Sequence, residues 1–430
     1  MTHEDSLGYE VKRVTDFKQR VIHFISWQVK QIQEEGAPAL YRKFGKVAGG
    51  LLAVIPVIFV RLIRPLILVR FGVLNSHRIG HFSFDVEMYL CEREVGLQNK
   101  EALDFFGYGE FICNAAFKTM CERVLTVVSF AKHCDRLNRL LPGGETHTVS
   151  ILSNAQHDSR DVQGLLLRTK PHVNFTEEEE RRGHRALPKL GVPAGSDFVC
   201  FHARDSSYLK TIYPRWDCSY HDHRDTTVQT YLSAAEELAS RGIYTLRMGA
   251  VVDNKLHPTN PKVIDYATQG RTDFLDIYLS SHCRFFLASC SGIDSIATIF
   301  RRPVVYTNLI PLEYAPSWDP TNLFIPKKLW LVQERRFLNF REIFERNLAR
   351  VNISSRYLEC GIEVVENTAD EIRDVALEMD DRLRGTWVPS GEDDELQKRF
   401  WSLFKPSHLH GRFLSRVGAI FLRQNRALLD

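Results

Sequence analysis

The clearest hydrophobic pattern in this chain lies in its middle. Three short, mainly apolar runs, Phe198 to Phe201, Ile243 to Leu246 and Phe285 to Ala288, have the length and residue types of buried strands. Val304 to Tyr306, after Pro303, has the same form. Between the first two runs, Gln229 to Arg241 carries apolar residues at helical spacing. Strand, loop and helix in alternation predict a parallel sheet with helices on its faces. Earlier, Phe71 to Leu74 and Leu103 to Phe106 read as strands, with a turn over Asn75 to His81 and a helix through Glu87, Tyr89 and Glu92 between them. Thr176, with Glu179 three residues on, predicts a capped helix start, so the acidic run Glu177 to Glu180 serves a helix dipole and not a metal. Asp370 to Arg384 predicts a late helix.

The two ends are patterned differently. Over Met1 to Lys46, Val21, Phe24, Ile25, Val29 and Ile32 recur at helical spacing and predict an amphipathic helix. Val47 to Leu74 is the most apolar stretch, but its uncharged part, Val47 to Val60, contains Pro56 and falls short of the ~20 residues that span a bilayer. With Arg61, Arg64 and Arg70 it fits an element in the headgroup layer, and equally a buried helix followed by a core strand. Gly411 to Leu422 is again basic and amphipathic, with Phe413, Val417, Ile420 and Phe421 at helical spacing.

Composition narrows the class. A chain of 430 residues exceeds one ordinary core and predicts two domains. A content of 44% hydrophobic and 25% charged residues excludes wholesale disorder, and a net charge of +3 argues against a dedicated nucleic-acid binder. The nine cysteines form no C-x-x-C pair and several sit inside apolar runs, which predicts reduced thiols of a cytosolic protein. The charged, polar N-terminus predicts no signal peptide.

The candidate chemistry sits where the strands end. Ligands of doubly wound sheets bind outside the strand carboxyl ends. The residues placed there are His202, Arg204 and Asp205 with Tyr208 beyond, then Arg247 and Gly249, then Ser289, Ser291 and Gly292, and finally Asn308. A guanidinium can grip phosphate oxygens in two parallel hydrogen bonds and stays charged. Arg204 suits that role and equally an ion pair with Asp205. Arg224 and Asp225 open the next helix, where Asp225 also reads as an N-cap. Gly249 lets backbone approach a ligand, and Ser289 to Gly292 before a helix over Ser295 to Phe300 offers backbone N–H groups to an anion. His81 could meet a substrate or cap its turn; Asp85 and Glu87 are further candidate bases, with helix surface as their other reading. No D-x-D motif stands in a loop, so no metal is predicted, and the single glycine of Asn75 to His81 excludes a dinucleotide fingerprint.

The block Cys200 to Asp205, with Arg224-Asp225, Arg247-Met248-Gly249, Ser289 to Gly292 and Asn308 to Pro311, resembles a family of bacterial surface-polysaccharide glycosyltransferases. Arg78-Ile79-Gly80-His81, Glu366-Asn367-Thr368 and Glu371-Ile372 extend the resemblance over roughly Leu66 to Trp387. It implies an α/β fold of two Rossmann-like domains in a GT-B arrangement. The expected parts are N-terminal helices over 1–65, an acceptor domain over 66–170, a nucleotide-sugar domain over 171–390, and C-terminal helices over 391–430 packing back on the first domain. The His-x-Arg block is also similar to the first motif of the fucosyltransferase group, with one arginine here where that pattern has two. The activity that the resemblance implies is transfer of a sugar from a nucleoside diphosphate donor to a glycan or lipid-linked acceptor, with no cofactor, at the inner face of the cytoplasmic membrane. Arg204 and Arg247 would meet the leaving diphosphate, His81 would be the base, and the remaining strand-end residues would hold the donor. A catalytically inactive scaffold of the same fold and a GT-B-shaped sugar-nucleotide epimerase are the alternatives.

Overall fold

The structure, a computed structural model, describes residues 36–430 apart from Glu110, Arg215 and Trp216. The helix expected over the first residues therefore lies mostly outside the described part. In chain order the first unit comprises α1 (Ala37–Leu62), β1 (Val69–Leu74), α2 (Ile79–Glu94), β2 (Leu103–Tyr108), α3 (Ala115–Val124) and α4 (Ala131–Arg139). Helix α1 runs straight through Pro56 and buries one face, Ala53, Val57 and Val60, in a small core with Ala131 and Cys134. The opposite face stays open, with Leu51 69%, Ile55 79% and Leu62 73% exposed. The stretch is thus a helix followed by a core strand, with much of the helix's aliphatic surface uncovered.

Strands β1 and β2 pair in parallel, extended by single bridges from Phe71 to Thr148 and from Phe106 to Val127. This is a smaller unit than the expected full Rossmann-like domain. The polar chain after β2, broken at Pro142-Gly143-Gly144, supplies short helices and bridges in place of further strands. Arg70 on β1 grips Asp104 on β2 with two hydrogen bonds of 2.7 Å, so that arginine does not face lipid.

The second unit begins at α5 (Glu177–Ala186), whose capping box from Thr176 and Glu179 forms as expected. It continues through β3 (Phe198–His202), α6 (Gln229–Ser240), β4 (Tyr244–Arg247), β5 (Val263–Ile264), α7 (Asp273–His282), β6 (Phe286–Ala288), α8 (Asp294–Ile299), β7 (Val304–Leu309) and β8 (Leu323–Pro326). After these come β9 (Lys328–Leu331), β10 (Arg336–Phe337), β11 (Ile362–Val365), α9 (Ala369–Arg384), α10 (Asp393–Ser402), β12 (Arg416–Val417) and α11 (Ala419–Gln424). The main sheet has seven parallel strands in the order β12-β8-β7-β6-β3-β4-β5. Taking β3 as the first strand of this unit, β5 through β8 read 3-2-1-4-5-6, the order of a doubly wound domain that reverses between β3 and β6. An antiparallel sheet, β10-β9-β11, stands apart.

The C-terminal segment departs from expectation. The stretch read as one helix is extended at β12, which joins the edge of the main sheet beside β8, and turns helical only at α11. Phe400, Phe404, Phe421 and Leu422 bury themselves in the core of the second unit, so this segment completes that unit's sheet and meets the first unit at Leu409 to Gly411, outside any helix. The apolar surface flanking β8 is what those side chains cover.

The two units meet over a shared apolar interface in which Ile277 of α7 and Ile296 and Ile299 of α8 pack with Phe82, Val86 and Phe117. Arg160 fastens a second point. Its guanidinium donates to the carbonyls of Leu409 (2.8 Å), Tyr314 (2.7 Å) and Ala315, and lies over the Trp318 ring.

Candidate functional site

The loops leaving β3 and β6 lie side by side at the point where strand order reverses. Ser289 stitches them together: its hydroxyl accepts from the Arg204 N–H at 2.7 Å, and its own N–H donates to the His202 carbonyl at 3.2 Å. The first unit then closes over them at a pair of glycines. A Cβ on Gly80 would come within 2.9 Å of the Gly292 Cα, so only glycine lets the two backbones touch. That contact sets the turn Arg78 to His81, where α2 begins, across from the loops after β3 and β6.

Arg78, Arg204 and Arg224 converge there. Arg224 donates to the Cys290 carbonyl at 2.9 Å, and Arg204 pairs with Asp225. Their combined field is legible in the histidines. Burial, then Arg224, Arg204 and Arg78, holds His221 down at about 3. Burial, then Arg78, His77 and Arg224, holds His81 at about 4, although His81 itself reaches solvent. His202 and His223 are also pushed to about 4, chiefly by burial. These imidazoles are neutral at physiological pH, and the positive charge of the cleft resides in its arginines. Several buried polar atoms around it have no hydrogen-bond partner among the described residues: Arg78 Nε, His202 Nδ1, His221 Nδ1, Arg224 Nε and Ser291 Oγ. Buried polar atoms are ordinarily satisfied. A polyanionic ligand would satisfy the donors in this set and lie in the arginine field.

Other expected residues have different tasks. Arg247 is 1% exposed, its guanidinium held by the Asn254 carbonyl and, at 3.4 Å, by Asp265, so it braces the loop after β4 and does not reach the cleft. Asp205 accepts from the Ser207 and Asp253 N–H groups and pins its own loop, leaving Arg204 to Asp225. Asp225 therefore does not cap α6, which starts at Gln229. Asn308 is buried in a reciprocal pair with Asn367, each side-chain oxygen accepting from the other's backbone N–H. Gly249 lies against His202. Tyr208 is half-buried, and burial pushes its hydroxyl up to about 12. The anion cradle expected before α8 is already used: that helix has six residues, the Ser295 N–H donates to the Gly292 carbonyl at 3.3 Å, and the buried Asp294 carboxyl draws on the Ser291 N–H. Burial nevertheless pushes Asp294 up to about 7.

Of the candidate bases, Glu87 is spent on Arg301 at 2.8 Å and on His172, while Asp85 is buried beneath His81. Glu87, Cys91 and His172 place ligand-type atoms within 4.8 Å of one another. Hydrogen bonds to Cys91 and Glu87 raise His172 to about 10, and its other ring nitrogen lies 2.9 Å from Glu94, so the imidazole is engaged by carboxylates on both sides. A cavity of about 370 Å³ opens elsewhere, at the amino-terminal end of β3, between Arg284, Arg302 and Leu383. It lies at the wrong end of the sheet for a doubly wound site. Lys327, absent from the expected set, donates to the His223 and Asp225 carbonyls at 3.0 and 2.7 Å and completes the cationic wall.

No family model matches the chain, and no curated protein matches it in sequence. Among solved structures it is similar to E. coli ADP-heptose LPS heptosyltransferase II, at 12% identity and a TM-score of 0.38, over 60% of this chain and 90% of that one. It is similar also to a family 9 glycosyl transferase of Veillonella parvula, at 9% identity and a TM-score of 0.36, over 68% and 92%. The E. coli heptosyltransferase WaaC with ADP matches at 9% identity and a TM-score of 0.28, over 60% and 91%. Likeness at this level settles neither family nor activity. The strand order itself defines the second unit as a doubly wound α/β domain.

Proposed function

We propose that this protein is a glycosyltransferase that moves a sugar from a nucleoside diphosphate donor to a glycan or lipid-linked acceptor in surface-polysaccharide synthesis. The observation that carries the reading is the meeting of Arg78, Arg204 and Arg224, amid unpartnered buried polar atoms, at the switch point of a doubly wound sheet. In the reaction an acceptor oxygen attacks the anomeric carbon, the bond from that carbon to the diphosphate breaks, and the electron pair leaves with the diphosphate. Fixed cationic donors aimed at that developing charge supply the stabilisation. Arg204 and Arg224 take this role, Arg247 does not, and guanidinium groups stand where another enzyme would use a metal. His202 and Ser291 bind the diphosphate, and His81 accepts the acceptor's proton.

Thermal-shift screening with ADP, GDP, UDP, CDP and CMP tests the donor class. A nucleotide at 100 times its Kd should stabilise the protein by about 2.7 kcal/mol. Stabilisation by one diphosphate and not by CMP is expected; no response to any nucleotide would remove the reading. Donor turnover in the presence of a glycan acceptor separates a transferase from an inactive scaffold, and product formed without acceptor would indicate an epimerase.

Peripheral contact with the inner face of the membrane accounts for the open stripe on α1. No described helix is long and apolar enough to cross a bilayer. Leu51, Ile55, Phe59 and Leu62, with Leu66 89% exposed beyond them, form one apolar face that suits the acyl boundary. Arg64 is exposed beside it, whereas Arg61 is tied to Asn138 and the Pro142 carbonyl. Replacing Leu51, Ile55, Phe59 and Leu62 with Gln should release the protein from anionic vesicles in a flotation assay, with its melting temperature nearly unchanged. Unaltered flotation, or release only on deletion of residues 1–35, would place the contact elsewhere.

A further inference from the structure

Asp85 lies one helical turn beyond His81 on α2 and is 2% exposed. Its carboxyl collects three donors. Asn75 and Asn154 reach one oxygen at 3.2 and 2.7 Å, and the Ser159 hydroxyl reaches the other at 3.3 Å. The same Ser159 oxygen sits 3.2 Å from His81 Nδ1. Ser159 is held there by a left-handed backbone, with φ of 59° at its own position and 50° at Asp158. A side chain carried on so unusual a turn, placed between a buried carboxyl and an exposed imidazole, is a link in a chain.

We infer that Ser159 and Asp85 are positioning residues that fix the tautomer of His81, so that its Nε2 presents a lone pair to the cleft. This inference rests on the proposed role of His81 as base. The direction of the chain follows from which groups can donate. A carboxylate that receives two amide donors on one oxygen must take the Ser159 proton on the other. The Ser159 oxygen then has only lone pairs left for His81, so Nδ1 carries the ring proton and Nε2 is bare. When Nε2 takes the acceptor's proton, the imidazolium that forms donates through Ser159 toward the Asp85 carboxylate. The proton stays on His81, and no other group changes its covalent state.

The arrangement also sets the pH response. Among the described residues the charged or titratable groups acting on His81 are Arg78 and His77 from its own turn and Arg224 from across the cleft, and with desolvation of the ring as the largest cause they hold it at about 4. Asp85 faces Asn75, Asn154 and Ser159, and burial pushes it up to about 7. Below that value Asp85 is protonated, Ser159 is free to donate to Nδ1 instead, and the ring proton moves to Nε2, where it blocks the base. The acid limb of turnover therefore falls near pH 7, well above the pKa of His81 itself.

The test is the His81 signal in long-range ¹H–¹⁵N NMR spectra of the full chain labelled with ¹⁵N-histidine, assigned by its absence in His81→Gln. The wild type should show the Nδ1–H tautomer at pH 8 and convert toward Nε2–H on acidification through about pH 7. Asp85→Asn should show Nε2–H at every pH where the ring is neutral, because the amide oxygen must face Asn75 and Asn154 and its NH₂ then donates to Ser159. Ser159→Gly, which suits the left-handed backbone, should leave mixed tautomers with no transition near pH 7. A wild type that is Nε2–H at pH 8, or an Asp85→Asn spectrum identical to wild type, would overturn the inference. These spectra need no substrate, so they can fail while nucleotide binding succeeds, and the converse.

Discussion

Replacing Arg224 with Ala is expected to weaken nucleoside diphosphate binding by roughly 10- to 150-fold, the equivalent of about 1.5–3 kcal/mol for a charge-assisted hydrogen bond. Titration calorimetry of the variant against wild type measures it. Arg224 is the better probe because its one described hydrogen bond is to a backbone carbonyl and its Nε is unpartnered, so its guanidinium has capacity to spare. Arg204 is bound to Asp225, and truncating it would leave that carboxylate exposed to the ligand as well as removing a cation. Arg204→Ala should therefore lose more affinity than Arg224→Ala. Arg247→Ala should lower the melting temperature while leaving the affinity of the folded protein close to wild type. If Arg247→Ala instead abolished binding in folded protein and Arg224→Ala did nothing, the assignment of the cleft would be wrong.

The second large effect is on stability. Arg160→Ala removes a buried cation that donates to three backbone carbonyls on the far side of the unit boundary and stacks on Trp318. Each carbonyl left buried and unsatisfied costs about 1–3 kcal/mol, so a loss of about 3–6 kcal/mol is expected after water and local relaxation recover part of it. Burial lowers the Arg160 pKa to about 10, so the desolvation it suffers is already substantial and offsets part of what its bonds contribute. Thermal denaturation followed by circular dichroism reads the change. A shift within error of wild type would mean that these carbonyls find other donors.

Where the sequence was legible, a local pattern carried the information. The four apolar runs of the second unit became β3, β4, β6 and β7, because a strand buried on both faces leaves no polar alternation to blur it. Thr176 starts its helix with a full capping box, since both partners lie within four residues, and the structure adds a second box at Thr368 that was not read in advance. The short strands β5 and β12, each of two residues, offered no periodicity to read. The site was legible as a set of strand ends and illegible in its pairings. Nothing near Arg247 marks Asp265 as its partner, since the two meet only when the chain returns through Asn254. Asp205 was the obvious mate of Arg204 by adjacency, yet a neighbour's side chain points into its own turn. Ser159 is anonymous in sequence; it matters because a loop brings it to a helix start 78 residues away. The dense His221-Asp222-His223 stretch was visible and went unread, because only the fold shows the three arginines acting on it.

The isoleucines that α7 and α8 lend to the core beneath α2 have a thermodynamic corollary. A border drawn through the linear sequence near residue 170 does not separate two bodies that could melt independently, because Ile277, Ile296 and Ile299 are no more than 1% exposed only while Phe82 and Phe117 are in place. Calorimetry should record a single endotherm, and a fragment cut at that border would present a greasy flank to water and precipitate. Cooperativity here belongs to the whole chain.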